Sequence, residues 1–210
     1  MNKKSILILA EGFEEKPYIE KIIKFPSISK NYIFSPVINL KGNGKILSRY
    51  QYEFQSGRND LVLVFADADR GSSQFIKIIE EIGEKIFGDK RKGKLVFIFS
   101  NPVTMQIVLS HFEKLDLKSR AKKINAEFIK ELTGIDNYDA KDEQIKELIN
   151  KINYNNYNNM KDNIKELSDD YHIIPSSNIL KFLLNFENDD TSWVDDINEQ
   201  LNNMEENENV

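Results

Sequence analysis

The run Leu61-Val62-Leu63-Val64-Phe65, continuing through Ala66 into Asp67-Ala68-Asp69, constrains this chain most. Five strand-forming apolar residues without a polar alternation fit a strand buried on both faces. Such a strand needs helices above and below it, as in mainly parallel sheets. Ser5-Ile6-Leu7-Ile8-Leu9-Ala10 and Leu95-Val96-Phe97-Ile98-Phe99 have the same character. In open α/β sheets, ligands sit at the carboxyl ends of such strands, which places Asp67 and Asp69 at the mouth of a sheet. Residues two apart in an extended segment point to the same side, so both carboxylates are expected to face one way. An Asp-rich turn capping the next helix is the alternative.

Helical spacing fills the gaps between these runs. Ile19, Ile22 and Ile23 predict a helix over 14–25, with Glu14 and Glu15 in the first turn, where negative charge suits the helix dipole. Pro36 places the strand candidate 32–40 nearer an edge. Lys41-Gly42-Asn43-Gly44-Lys45 lacks the spacing and the Ser/Thr of a Walker loop and reads as a turn before a helix over 46–54. A helix from about 71 to 87 ends at Gly88, a basic turn covers 90–94, and Ser100-Asn101-Pro102 opens a helix to 112. Four strand–helix alternations imply an α/β core over 1–115, a mainly parallel sheet with flanking helices.

From Leu117 the pattern is helix after helix: 118–133, 140–153, 159–168 and one following Pro175, with Asn153 to Asn159 as a surface turn. Residues 116–186 are expected as a helical C-terminal part packed on the core. Residues 187–210 are expected as an acidic tail, partly disordered, holding one helix near 193–204.

The net charge of −5 argues against a nucleic-acid binder, but its distribution does not. Residues 1–134 carry 23 Lys and Arg against 16 Asp and Glu, whereas 135–210 carry 6 against 18. The chain has no cysteine, which excludes a disulfide framework and thiolate metal sites and suits a cytoplasmic location. Lys3-Lys4 and the apolar run after them are too short for a signal peptide, and no segment approaches the roughly 20 apolar residues of a spanning helix, so no membrane partner is expected.

Three strands end in polar residues that a parallel sheet brings to one edge: Glu11, then Asp67 and Asp69, then Ser100 and Asn101. One glutamate and two aspartates suffice to hold Mg²⁺ or Mn²⁺, with water completing the coordination. Glu11 could act as general base or acid, or as a ligand. Ser100 and Asn101 read equally as a helix cap and as a phosphate contact at a helix N-terminus. Lys90, Arg91 and Lys92 with Lys94, and the set Lys118, Arg120, Lys122 and Lys123, could track a phosphate backbone or be ordinary solvated surface. His111 reads as a packed, hydrogen-bonded residue near the site.

A strand ending in Glu-Gly followed by one ending in Asp-x-Asp resembles the Toprim fold. The block Leu7 to Glu15 is similar to OLD-type nucleases, where a second acid follows the first by four residues, the position of Glu15. Ser100-Asn101-Pro102 with His111-Phe112, and Pro175 to Leu183, resemble blocks of RloB-like proteins, stand-alone Toprim proteins of restriction and abortive-infection loci. The resemblance spans about residues 5–185. It implies a metal held by Glu11, Asp67, Asp69 and Glu15, with Glu11 also moving the proton. Two positions depart from the pattern: Glu14 stands where a threonine is common, and Met105 where the family usually has an acid. The latter leaves room for a one-metal or a degenerate site.

Three functions follow. The first is a Mg²⁺-dependent Toprim nuclease cleaving DNA or RNA in defence against phage or foreign DNA. The second is a catalytically degenerate module that binds nucleic acid or an ATPase partner. The third is another metal-dependent phosphoryl-transfer enzyme or a nucleotide-sugar transferase.

Overall fold

The computed structural model describes residues 3–69 and 71–203. Among them, six strands form one sheet: β1 (Lys4–Ala10), β2 (Tyr32–Phe34), β3 (Ile38–Asn39), β4 (Leu61–Asp67), β5 (Phe97–Asn101) and β6 (Ser176–Ser177). Their order is β2-β1-β4-β5-β6, with β3 also on β1, and every pairing is parallel except β5 with β6. The three apolar runs form the central strands, buried from Ile6 to Ala10, Leu61 to Ala66 and Phe97 to Asn101. The edge segment breaks around Pro36, and its two pieces pair with opposite ends of β1.

Helix α1 (Glu15–Ile22) links β1 to β2; α2 (Ile46–Gln55) links β3 to β4; α3 (Ser73–Phe87) links β4 to β5. Chain direction along the sheet reverses after β1. Right-handed crossovers therefore put α1 on one face and α2 with α3, which pack together, on the other. Ser72 caps α3 by accepting the Phe75 N–H at 3.2 Å, and Gly88 ends it at φ +73°.

Strand β5 starts at Phe97, two residues later than the apolar run implies, because Lys90–Val96 forms a 3₁₀ run pressed onto α3. The contact is backbone on backbone. A Cβ on Gly93 would lie 1.9 Å from the Ile79 carbonyl oxygen, and one on Gly83 would lie 2.5 Å from the Asp89 and Lys90 carbonyls.

The C-terminal part is helical: α4 (Met105–Leu109), α5 (Lys122–Thr133), α6 (Asp142–Lys151), α7 (Tyr154–Ile164), α8 (Ile179–Glu187) and α9 (Ser192–Asn202). Helix α4 is shorter than the expected 102–112. The expected turn at Asn153–Asn159 is instead the start of α7: Asn153 and Asn156 form a reciprocal capping box, and Tyr157 is buried against Phe25. Strand β6 was not foreseen. It pairs two residues of β5, and the Asn178 side chain continues the ladder, donating to the Phe97 carbonyl at 2.7 Å and accepting the Phe99 N–H at 2.8 Å. The open edge of β5 is thereby closed.

Helix α9 is docked on the body rather than loose. Lys4 Nζ meets Asp195 Oδ1 at 2.5 Å, Asn198 donates to the Asp60 carbonyl at 2.8 Å, and Trp193 Nε1 donates to the Tyr32 hydroxyl at 2.7 Å. The final residues, 204–210, expected to be disordered, lie outside the described residues. Among the described residues no helix is long and apolar enough to cross a membrane.

Gly93→Ala forces α3 and the 3₁₀ run apart. Overpacking of this kind costs about 1–3 kcal/mol or more, so the melting temperature should fall by roughly 5 °C or more at this chain size. Gly44→Ala, whose Cβ meets nothing within 4 Å, should melt within about 2 °C of the parent. Equal melting of both variants in a calorimeter would contradict the close contact.

Candidate functional site

The connection from β1 leaves toward β2, and that from β4 leaves toward β5, so the strand order switches between β1 and β4. The crevice outside the carboxyl ends at such a switch point is where open α/β sheets bind ligands. Glu11 follows β1 and Asp67 ends β4 there. Backbone pairing holds them side by side: the Glu11 N–H donates to the Phe65 carbonyl at 2.9 Å, and Glu11 Oε2 accepts the Asp67 N–H at 3.0 Å.

Glu15, in the first turn of α1, completes a group of three. It is 4% exposed, and its carboxyl lies so close to Gly12 that a Cβ there would be 2.7 Å from Oε2. Thr104, just before α4, reaches across from β5 and gives Asp67 Oδ1 both its N–H (2.5 Å) and its hydroxyl (2.7 Å). Among the described residues no lysine, arginine or histidine forms an ion pair with Glu11, Glu15 or Asp67.

The consequence is electrostatic. Burial raises the Glu11 carboxyl to about 7, opposed by the Asp67 N–H and reinforced by the Asp69 charge. Burial, then the charges of Glu14 and Glu11, raises Glu15 to about 8, against a hydrogen bond from Thr104. Burial and the charges of Glu15 and Glu11 hold Asp67 well above the usual carboxylate range.

Asp69 does not continue the strand. It sits at φ +49°, in the left-handed region, so the shared side expected for Asp67 and Asp69 in an extended segment is not what joins them. Its carboxylate instead meets Arg120 Nη1 at 3.4 Å, from the segment before α5. A second link from the helical part is Tyr138, whose hydroxyl donates to Glu14 Oε1 at 2.6 Å.

Several expected site residues lie elsewhere. Ser100 and Asn101 are fully buried, and the Asn101 side chain donates to the Tyr171 and Ile173 carbonyls, both at 2.8 Å, tying β5 to the segment before β6. Their side chains do not open toward a phosphate. Lys90, Arg91 and Lys92 precede β5, at the opposite edge of the sheet from Glu11 and Asp67. Arg91 is forked onto Asp89, Lys90 lies 3.9 Å from Glu84, and the buried Lys92 amine donates to the Leu201 and Asn203 carbonyls at the end of α9. Lys92 is thus a fold contact, whereas Lys90 and Arg91 stay largely exposed beside acidic neighbours, away from Glu11 and Asp67. His111 is fully buried, its Nε2 3.1 Å from the Tyr18 hydroxyl, and burial pushes its pKa down to about 3, so it is a neutral core residue beside α1. Met105 is buried at the start of α4.

Sequence reasoning missed Thr104 and Tyr138. A threonine directly before a short helix reads only as a cap, yet its hydroxyl caps nothing and serves Asp67 instead.

No protein-family model, curated protein or solved structure matches the chain. Among the described residues, no group of three or more His, Cys, Asp or Glu side chains is placed to hold a metal ion. Glu11 Oε2 and Asp67 Oδ1 are engaged by protein donors, while Glu11 Oε1 and Asp67 Oδ2 accept no hydrogen bond from a described residue. Glu11, Glu15 and Asp67 offer only oxygen donors, the kind a hard divalent ion takes, with Glu15 buried and the other two half-buried.

Raised carboxyl pKa values carry a defined sign. The folded state binds protons more tightly than the unfolded chain between the ordinary value of 4.5 and about 8, so stability falls as pH rises through that window. Glu15→Gln removes the buried charge. In metal-free buffer it should melt within about 1 °C of the parent at pH 5 and several degrees higher, roughly 3–6 °C, at pH 8.5. A lower melting temperature for the variant at pH 8.5 would show that the ionised carboxylate is stabilising instead.

Proposed function

We propose that this protein is a divalent-metal-dependent phosphodiesterase of the Toprim nuclease type, acting on DNA or RNA and serving in defence against phage or foreign DNA. The observation that carries the reading is the group Glu11, Glu15 and Asp67, Glu15 buried and the other two half-buried, without a described cation at the switch point of a parallel sheet. Like charges held together cost stability, and a bound Mg²⁺ or Mn²⁺ offsets that cost. Asp67 and Glu11, with Glu15 behind them and Asp69 at the rim, would hold the ion. A bound ion would supply charge stabilisation on a phosphoryl oxygen and an acidified water.

The protein's own groups then have separable tasks. Thr104 fixes the Asp67 carboxylate with two donors on Oδ1. The Asp67 N–H fixes Glu11 in the same way, leaving Oε1 to take a proton from the attacking water. Arg120 orients Asp69 at the solvent side. Sequence resemblance to RloB-like and OLD-type proteins supports the choice of a nucleic-acid phosphodiester over a small nucleotide.

Met105 favours a second reading. A buried thioether stands where the resembling family usually has an acid, consistent with a catalytically degenerate module that binds nucleic acid or an ATPase partner.

Purified protein with Mg²⁺ or Mn²⁺ is expected to cut plasmid, single-stranded DNA or RNA. Glu11→Ala and Asp67→Ala should each lower the rate at least about 100-fold, and Thr104→Val, which keeps the N–H donor, about tenfold. Gel analysis of products checks this. Binding without cleavage in every metal would favour the degenerate module, and release of phosphate from small nucleotides alone would favour a different phosphoryl-transfer enzyme. Cleavage that survived Asp67→Ala with Asp69→Ala would remove these residues from the reaction.

A further inference from the structure

The turn Lys41–Lys45 and the outer face of α2 form a second charged surface, next to the carboxylates but separate from them. The Gly42 N–H donates to the Glu11 carbonyl at 2.8 Å, so this turn begins where β1 ends. The chain makes a short 3₁₀ turn over Asn43–Lys45 and enters α2, where Lys45, Arg49 and Tyr52 follow at spacings of four and three, on one helix face. With Lys41, Ser48 and the end of β3 they line a groove of about 470 Å³ that contains no carboxylate. It lies in the basic part of the chain, residues 1–134.

The aromatic component is placed for contact. Tyr52 is 56% exposed, among the most exposed large hydrophobic side chains described. The Arg49 guanidinium lies 5.3 Å from its ring centroid and that of Arg58 5.7 Å. Both arginines are anchored by Glu53, which is 4% exposed and stays beneath the surface: Arg49 at 2.5 Å and Arg58 at 3.4 Å. Lys41 and Lys45 are exposed and form no ion pair among the described residues.

We infer that this groove is a docking track for single-stranded nucleic acid, with Tyr52 stacking on a base and Lys41, Lys45 and Arg49 holding the phosphates that lead to Glu11 and Asp67. The inference rests on the proposed phosphodiesterase site for the direction of the track, but its binding chemistry stands separately. Cations along a groove with an exposed aromatic ring form the platform that unpaired strands use, because stacking needs a free base face. A duplex keeps its base faces covered and offers only phosphates. On binding, a base displaces one guanidinium from the Tyr52 ring, and that guanidinium is left to a phosphate.

The test is fluorescence anisotropy of labelled 12-nucleotide single-stranded DNA, single-stranded RNA and duplex DNA on the full chain in EDTA, with labelled poly-glutamate as a polyanion control. Either single strand should bind at least tenfold more tightly than the duplex. Tyr52→Ala should weaken it about tenfold, and Tyr52→Phe should hold it within about twofold. Lys41→Gln with Lys45→Gln should reduce the slope of log affinity against log salt by about 1.4, at about 0.7 per phosphate contact. Comparing the DNA and RNA arms decides which strand the track takes. Duplex binding as tight as single-strand binding, a Tyr52→Ala protein that binds like the parent, or equal binding of poly-glutamate would each overturn the inference. Single-strand binding as described without cleavage in any metal would retire the proposed reaction and leave the track standing. Cleavage and binding both indifferent to Tyr52→Ala would do the reverse.

Discussion

Pairing of β1 with β4 is the contact on which the rest of the molecule depends. Ile6 to Ala10 lie in register with Leu61 to Phe65, and neither strand has a wet face. Helices must cover both sides, and that requirement generates the alternation of the first half of the chain. The same ladder sets the site. Its last rung, from the Glu11 N–H to the Phe65 carbonyl, puts one acid beside another whose own N–H then holds it. A slip of one residue would send Glu11 to the other face of the sheet.

Placing these acids at the end of the most buried ladder works against stability. Glu15 is almost wholly enclosed, Glu11 and Asp67 are partly so, and the nearest donors are a backbone N–H and Thr104 rather than a described cation. The surrounding fold compensates. Aromatic contacts among Tyr32, Phe34, Phe186 and Trp193 fix the edge strand to the C-terminal helices, and Asn178 closes the opposite edge. The cost of enclosing these acids is thus confined to one edge, while the remainder is well packed. The helical part also rims that edge, through Arg120 on Asp69 and Tyr138 on Glu14.

Local signals in the sequence were accurate where packing is dominated by apolar pattern. The three central strands, the edge position of the Pro36 segment, and the ends of α3 at Ser72 and Gly88 were all legible. They failed where a long-range contact outweighs local preference. Leu95 and Val96 look like strand, but Gly93 against the Ile79 carbonyl holds them in a 3₁₀ run. Asn153 to Asn159 look like a turn, but an asparagine capping box and the burial of Tyr157 make them helix. Lys92 looks like a surface cation, yet the end of α9 covers it.

For the candidate site, the sequence determined which acids exist and on which strands they end, and parallel order alone brings Glu11 and Asp67 to one edge. It could not show that the chain turns left-handed at Asp69, because φ there depends on the turn into α3 rather than on residue type. Nor could it show that Thr104 serves Asp67, 37 positions earlier, or that Ser100 and Asn101 face inward, where β5 is clamped by residues some 70 positions later. The tertiary structure decided these points because each is set by partners distant in the chain, and a sequence pattern records only the neighbours within a few turns of helix or one strand.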